Sequence, residues 1–365
     1  MATQATGRVD IRKALEGVSS HFLSLVEIGI LRTFVDFKVF DLIPEEGDIS
    51  LSELANKVHG DERLLERFSS YLVAAEMLTS PAPGRVAHTE SSRHFQTGGP
   101  AAGFLVHVFN FFLRPMAYWP SFFDKNGLAE PKDLRMIPLG LATGHPDSSL
   151  YEVLDAEPTL ARLFNLAQAR SADIYCLKGV YDFSWIQSIG PQPGERLAIV
   201  DVGGGSGLAL RDILIGNAYI PPQQCAVFDL PKTIEGAKRD LDDGLREVQM
   251  VGGTMLEPFP EVVRGAVVYQ FRRVLSDFPD DSIVQALRQV RDACLPDSRI
   301  LVIEEFIQPS RSKFTIAQDV SVMNFGGKRR SEQMFRELAG LANLRCNGLH
   351  EAPGGVFGVL EMVPV

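Results

Sequence analysis

Two short segments hold the residues whose types and spacing could do chemistry. In "IVDVGGGSGLAL" (199–210), Asp201 is followed by Gly203, Gly205 and Gly207. Glycines at alternate positions let the backbone turn sharply and approach a ligand closely. The spacing is GxGxG, and a dinucleotide fingerprint would want a third small residue where Leu208 stands. The pattern therefore fits a cofactor that places no pyrophosphate on the helix terminus. A second carboxylate, Asp229, closes the apolar run "AVFDL" 28 residues after Asp201, where a ribose diol lies if the sheet is doubly wound. The other segment, "QFRRVLSDFPDD" (270–281), sets Ser276 and Asp277 just past a strand, with Ser282 expected to cap the next helix. A serine hydroxyl is un-ionised near neutral pH and needs its own base to act.

The elements that must position these residues follow from pattern. From residue 197 onward, apolar runs ("LAIVDV", "CAVFDL", "GAVVYQF", "RILVIEEFI") alternate with segments of helical period such as "SIVQALRQVRDAC". That alternation implies a mostly parallel sheet covered on both faces. Upstream, residues 11–80 read as helical, with Val26, Ile30, Phe34 and Phe37 forming an amphipathic stripe. Two short helices and the hairpin-like "SPAPGRVAHTESSRHF" then suggest a winged-helix layout. The candidate recognition helix, 61–78, carries Asp61, Glu62, Glu66 and Glu76 beside Arg63 and Arg67. An acidic helix does not dock on phosphates, and the net charge of −10 argues against nucleic acid for the whole chain. Packing or dimerisation is the expected use of this domain. The most apolar run, 103–123, contains His107, Asn110, Arg114 and two prolines, which fits a buried or pocket-lining helix better than a membrane span. Four scattered cysteines show no metal spacing and read as free thiols. The polar start "MATQATGRVD" lacks the apolar core of a secretory signal, so a cytoplasmic protein is expected, with no metal and no membrane partner.

"DVGGGSG", "FDLP", "VGGTMLEPFP", "RRVLSDFPDD" and "NFGGKRRSEQMF", in this order, resemble the caffeate-type O-methyltransferase family from about residue 20 to the C-terminus. The resemblance implies an α/β fold: a Rossmann-like class I methyltransferase sheet with an N-terminal α-helical winged-helix dimerisation domain. It implies a homodimer, a small-molecule substrate, and S-adenosylmethionine as cofactor, with S-adenosylhomocysteine as an alternative bound form. The expected division is 1–120 for dimerisation, 121–180 for linking helices that line the substrate pocket, and 181–365 for cofactor binding and catalysis. Carried over by position, Asp201, Gly203 and Gly205 hold the methionine end, Asp229 the ribose, and Met255 packs on the adenine, with Leu230 also among the cofactor-binding residues. Thr254 stands where the family has an adenine-binding Asp, Arg272 replaces a cofactor-contacting lysine, and Ser184 completes the set. The implied substrate pocket contains Phe109, Phe112, Met116, Trp119, Met323 and Asn324.

O-methyl transfer needs a base within hydrogen-bond reach of the acceptor. The family's base is a histidine oriented by two glutamates. Here Ser276 occupies the histidine position and Arg329 one glutamate position, while Glu304 is retained. His107, Arg170, Asp277 and Lys328 are the remaining polar candidates for catalysis. Cationic and neutral donors in an apolar pocket can stabilise an enolate or orient a polyene. The combination resembles the fungal methyltransferase-like pericyclases, which keep the fold and the cofactor but lack the histidine. The expected function is accordingly a dehydration, Diels–Alder, hetero-Diels–Alder or related pericyclic reaction on a polyketide-type secondary metabolite. The alternatives are an O-methyltransferase with an altered base and a non-catalytic dimeric binding protein.

Overall fold

A computed structural model describes residues 11–171, 175–189, 196–355 and 357–365. The chain falls into two compact units, Met1–Asn110 and Phe111–Val365, so the linking helices expected over 121–180 belong to the second unit.

In the first unit a long helix, Ile11–Asp36, precedes helices Leu51–Val58 and Glu62–Ala74 and a small antiparallel sheet. Its strands are β1 (Ile49–Ser50), β2 (Leu78–Thr79) and β3 (Arg85–His88), in spatial order β1-β3-β2. The helix starts are dictated locally. The Ser50 hydroxyl accepts from Glu53 N at 3.1 Å and the Asp61 carboxylate from Leu64 N at 2.8 Å, each satisfying an otherwise unpaired first-turn donor. Phe34, Phe40, Leu54, Leu72 and Val86 fill the core, giving the expected winged-helix layout. Phe37 departs from the expected stripe and is exposed. The long helix stops at Asp36, and Phe37 lies in the turn that follows, where the left-handed Lys38 (φ 54°) redirects the chain. The same helix is apolar enough over Leu15–Asp36, with a mean hydropathy of 1.3, to span a bilayer by length and composition. The run singled out in the sequence, 103–123, instead breaks into a helix (Pro100–Val108), a π turn (Phe109–Leu113) and two short helices.

The second unit is built on a seven-stranded sheet. Its strands are β4 (Ile199–Val202), β5 (Cys225–Asp229), β6 (Gln249–Gly252), β7 (Val268–Arg272), β8 (Arg299–Glu304), β9 (Leu344–Glu351) and β10 (Gly358–Pro364). The order is β6-β5-β4-β7-β8-β10-β9; the first five strands run parallel and β10 is antiparallel to both its neighbours. Strand faces are buried on both sides, Val200, Val202 and Phe271 in one core cluster and Ile199, Val227 and Val268 in the other. The sheet winds outward in both directions from β4, so the crevice beyond the ends of β4 and β7 is the topological switch point. The helix after β7 begins at Asp280, with Pro279 rather than Ser282 at its boundary. Proline there loses no helical donor, and Asp280 and Asp281 sit favourably at the positive end of the helix dipole.

Candidate active site

At the switch point lies a cavity of about 730 Å³ lined by Gly203, Gly205, Asp229, Leu230, Arg272 and Asp277, among others. The glycine turn forms its floor. Gly203 and Gly205 have φ of +72° and +60°, a region side-chain-bearing residues avoid. A Cβ on Gly203 would meet Val274 Cγ2 at 2.7 Å, whereas one on Gly205 would point into open space. The open side of Gly205 is where a ligand can touch the backbone.

Two carboxylates flank this turn in different ways. Asp229 accepts from Gly205 N at 2.8 Å and from Leu230 N at 2.6 Å, so it ties the glycine loop to the end of β5. Burial raises its pKa, and those two bonds oppose the rise. Asp201 is 1% exposed, and among the described residues neither carboxylate oxygen has a hydrogen-bond partner of good geometry, the Gln270 side chain being the nearest donor. Burial pushes it up to about 6, against the pull of the nearby Gln270 side chain and the Arg272 charge. A buried carboxylate without a partner is costly unless a cation or donor arrives. These features fit the aminoacyl and ribosyl ends of S-adenosylmethionine. Of the other residues implied for the cofactor, Arg272 lines the cavity and is lowered by burial. Thr254 follows Gly253, whose N–H donates to Asp229 O at 2.9 Å, and the Thr254 hydroxyl accepts from Leu256 N at 3.3 Å. Met255 packs in the core with Phe228 and Phe259. Ser184 does not line this cavity: its hydroxyl and N–H both donate to Asp182 in an exposed turn.

Ser276 and Asp277 lie in a single 3-10 turn, Leu275–Asp277. Ser276 N donates to Glu304 Oε1 at 3.2 Å, so the retained glutamate reaches the vacated position. Glu304 is buried and its pKa is raised by that burial, with Arg273 the main opposing charge. Asp277 is pushed up to about 7, first by burial and then by the Glu304 charge. Arg329 pairs with Glu305, which also accepts from the Tyr175 hydroxyl. Lys328 is taken up by Glu130 at 2.9 Å and Asp280 at 2.8 Å and is not part of the cavity lining. Asn324 accepts from Trp119 Nε1 at 2.7 Å and donates to Phe111 O at 3.1 Å, and Phe112 packs against Phe325. Met116 and Met323 are half-buried, and none of the six expected pocket residues is in the cavity lining. His107 and Phe109 are half-buried in the first unit. The Arg170 side chain lies outside the described residues.

Sequence reasoning passed over Arg273. It is left-handed (φ 54°), lines the cavity, lies 4.5 Å over the Tyr175 ring and donates from Nη1 to Gln168 Oε1 at 3.1 Å. The "RR" doublet was its only signal, and nothing in the doublet distinguishes the two guanidinium groups.

The O-methyltransferase domain model matches residues 140–345, and the O-methyltransferase dimerisation domain model matches residues 19–98. The chain belongs to this family, whose cofactor is S-adenosylmethionine. A protein of Pyrenochaetopsis sp, methyltransferase phm5, is 52% identical over 356 residues, 97% of each chain. Among solved structures, OxaC superposes with a TM-score of 0.85 at 24% identity, covering 99% of this chain and 89% of that one. A structure described as a pericyclic reaction enzyme gives 0.76 at 20% identity, covering 100% and 95%.

Proposed function

We propose that this protein is an S-adenosylmethionine-dependent methyltransferase acting in the cytoplasm as a homodimer on a small-molecule acceptor with an acidic O–H or N–H group. The observation that carries this reading is the cofactor cradle, the buried Asp201 beside the open Gly205 and the loop-anchoring Asp229. Such a cradle is costly to keep in a protein that binds no cofactor. The 52% identity with a protein named a methyltransferase, over nearly the whole of both chains, supports methyl transfer over the other uses of the fold. An acidic acceptor suits Ser276, which stands in place of the family's histidine base. Bound S-adenosylmethionine supplies an electrophilic methyl on a sulfonium. Asp201, Gly203, Gly205, Asp229 and Arg272 are the residues proposed to hold it, with Thr254 and Met255 at the adenine.

A second reading, a pericyclic or dehydrating enzyme that binds the cofactor without consuming it, is favoured by one observation. Ser276 and Arg329 together remove two of the three groups of the usual machinery. The separating experiment incubates the protein with methyl-labelled S-adenosylmethionine and a panel of acidic polyketide-type acceptors. Label gained by the acceptor with equal S-adenosylhomocysteine is expected. Isomerisation or water loss without label would replace the first reading with the second.

A further inference from the structure

We propose that Asp277 receives the acceptor's proton, the task left vacant at Ser276, and that Glu304 and Arg273 set its charge state from opposite sides. The inference rests on the methyl-transfer reading above. In the step, the acceptor's O–H or N–H bond breaks and its proton passes to an Asp277 carboxylate oxygen. The freed pair forms the bond to the methyl carbon, the C–S pair stays on sulfur, and the proton leaves Asp277 for solvent.

Position is the first argument. Asp277 lines the same cavity as Gly203, Gly205 and Asp229, so it borders the space proposed for the cofactor. Its backbone is fixed by close packing. A Cβ on Gly327 would fall 2.0 Å from Ser276 O and 2.8 Å from Asp277 Cα, so only glycine lets that loop lie against the 276–277 turn. The second argument is the surrounding charge. Glu304 approaches from β8, Arg273 from the end of β7, Arg329 from the loop after Gly327, and Tyr151 from helix Leu150–Ala156. Glu304 raises the proton affinity of Asp277, while the two arginines lower it. Burial holds Tyr151 well above its ordinary value, with the Asp277 charge adding to the rise, so it stays a neutral donor. A carboxyl titrating near neutrality is suited to take a proton and release it within a turnover. Arg273 and Glu304 are positioning residues here, acting through Asp277.

Infrared difference spectra of the full chain between pH 5 and 9, with no ligand added, read the carboxyl directly. A buried carboxyl titrating near pH 7 is expected, absent in D277N, moved down by about 1 in pH in E304Q and up by a similar amount in R273Q. R273K should restore most of the R273Q change. With the acceptor returned by the labelled-methyl screen, D277N should lower kcat about 10²–10⁴-fold while S-adenosylmethionine binding by calorimetry stays within about twofold. The acid limb of kcat/KM should follow the infrared midpoints. If D277N does not fold, the E304Q and R273Q shifts and their pH profiles carry the test. Transfer by wild type that D277N sustains within about tenfold overturns the assignment alone, as does a spectrum with no such carboxyl. Absence of transfer by wild type overturns the functional reading and the assignment with it.

Discussion

Replacing Asp201 by Asn should make the cofactor-free protein more stable and the cofactor weaker, in a pH-dependent way. The Asp201 carboxyl moves from its ordinary 3.8 to about 6 on folding because it is buried, 1% exposed, and burial outweighs the pull of Gln270 and Arg272. Each tenfold change in proton affinity is worth about 1.4 kcal/mol, so the ionised side chain costs the fold about 3 kcal/mol. The sign follows from linkage. Below both values the group is protonated folded and unfolded, and nothing is lost. Between them only the folded state keeps its proton, so stability declines as pH rises, and above about 6 the full penalty applies. Denaturant melts of wild type and D201N should therefore differ by about 3 kcal/mol more at pH 8 than well below pH 4. By pH 4.5 the carboxylate contribution falls to about 1 kcal/mol. The Asn amide adds an offset that does not change with pH, so the slope of the difference is the diagnostic. Calorimetry should show S-adenosylmethionine binding about 10–100-fold more weakly to D201N, the loss of a charge-assisted contact. A wild-type-minus-mutant difference that is the same at pH 4.5 and 8 would refute the desolvation argument. Unchanged affinity would refute the role in the cradle.

Asp229→Asn should weaken S-adenosylmethionine by at least about tenfold, because an amide oxygen is a poorer acceptor for the Gly205 and Leu230 N–H groups that shape the turn; equilibrium dialysis checks this. Gly327→Ala forces a Cβ into the backbone of Ser276 and Asp277 and should cost about 1–3 kcal/mol, seen as a lower Tm and a displaced carboxyl band. Arg330 is buried, donating to Asp280, to Leu275 O, to Lys328 O and to Phe278 O. Arg330→Met leaves the three backbone carbonyls without this donor and Asp280 with Lys328 alone, and should destabilise by about 3–5 kcal/mol, lowering Tm by about 10 °C in a thermal melt.

The glycine turn was legible because its chemistry is contiguous: a strand, three glycines and a helix define a backbone shape within a dozen residues. The winged-helix layout was legible for a related reason, since Ser50 and Asp61 cap their helices through bonds that span only three residues. Phe37 misled because period alone does not reveal where a helix ends, and Phe37 falls in the turn just past Asp36. Lys328 and Ser184 were grouped with the site by position in the sequence, but their actual partners are Glu130, Asp280 and Asp182.

By itself the sequence determined that a glycine turn follows Asp201 in a strand with Asp229 closing the next one, and its resemblance to the family set Ser276 against the position of the histidine base. Tertiary structure alone decided what surrounds that vacancy. Asp277 and Arg273 share one segment while Glu304 and Arg329 come from two others, and their effects on one another depend on distances of a few ångströms and on burial from water. Both quantities enter an electrostatic energy strongly, and neither is written in the order of residues.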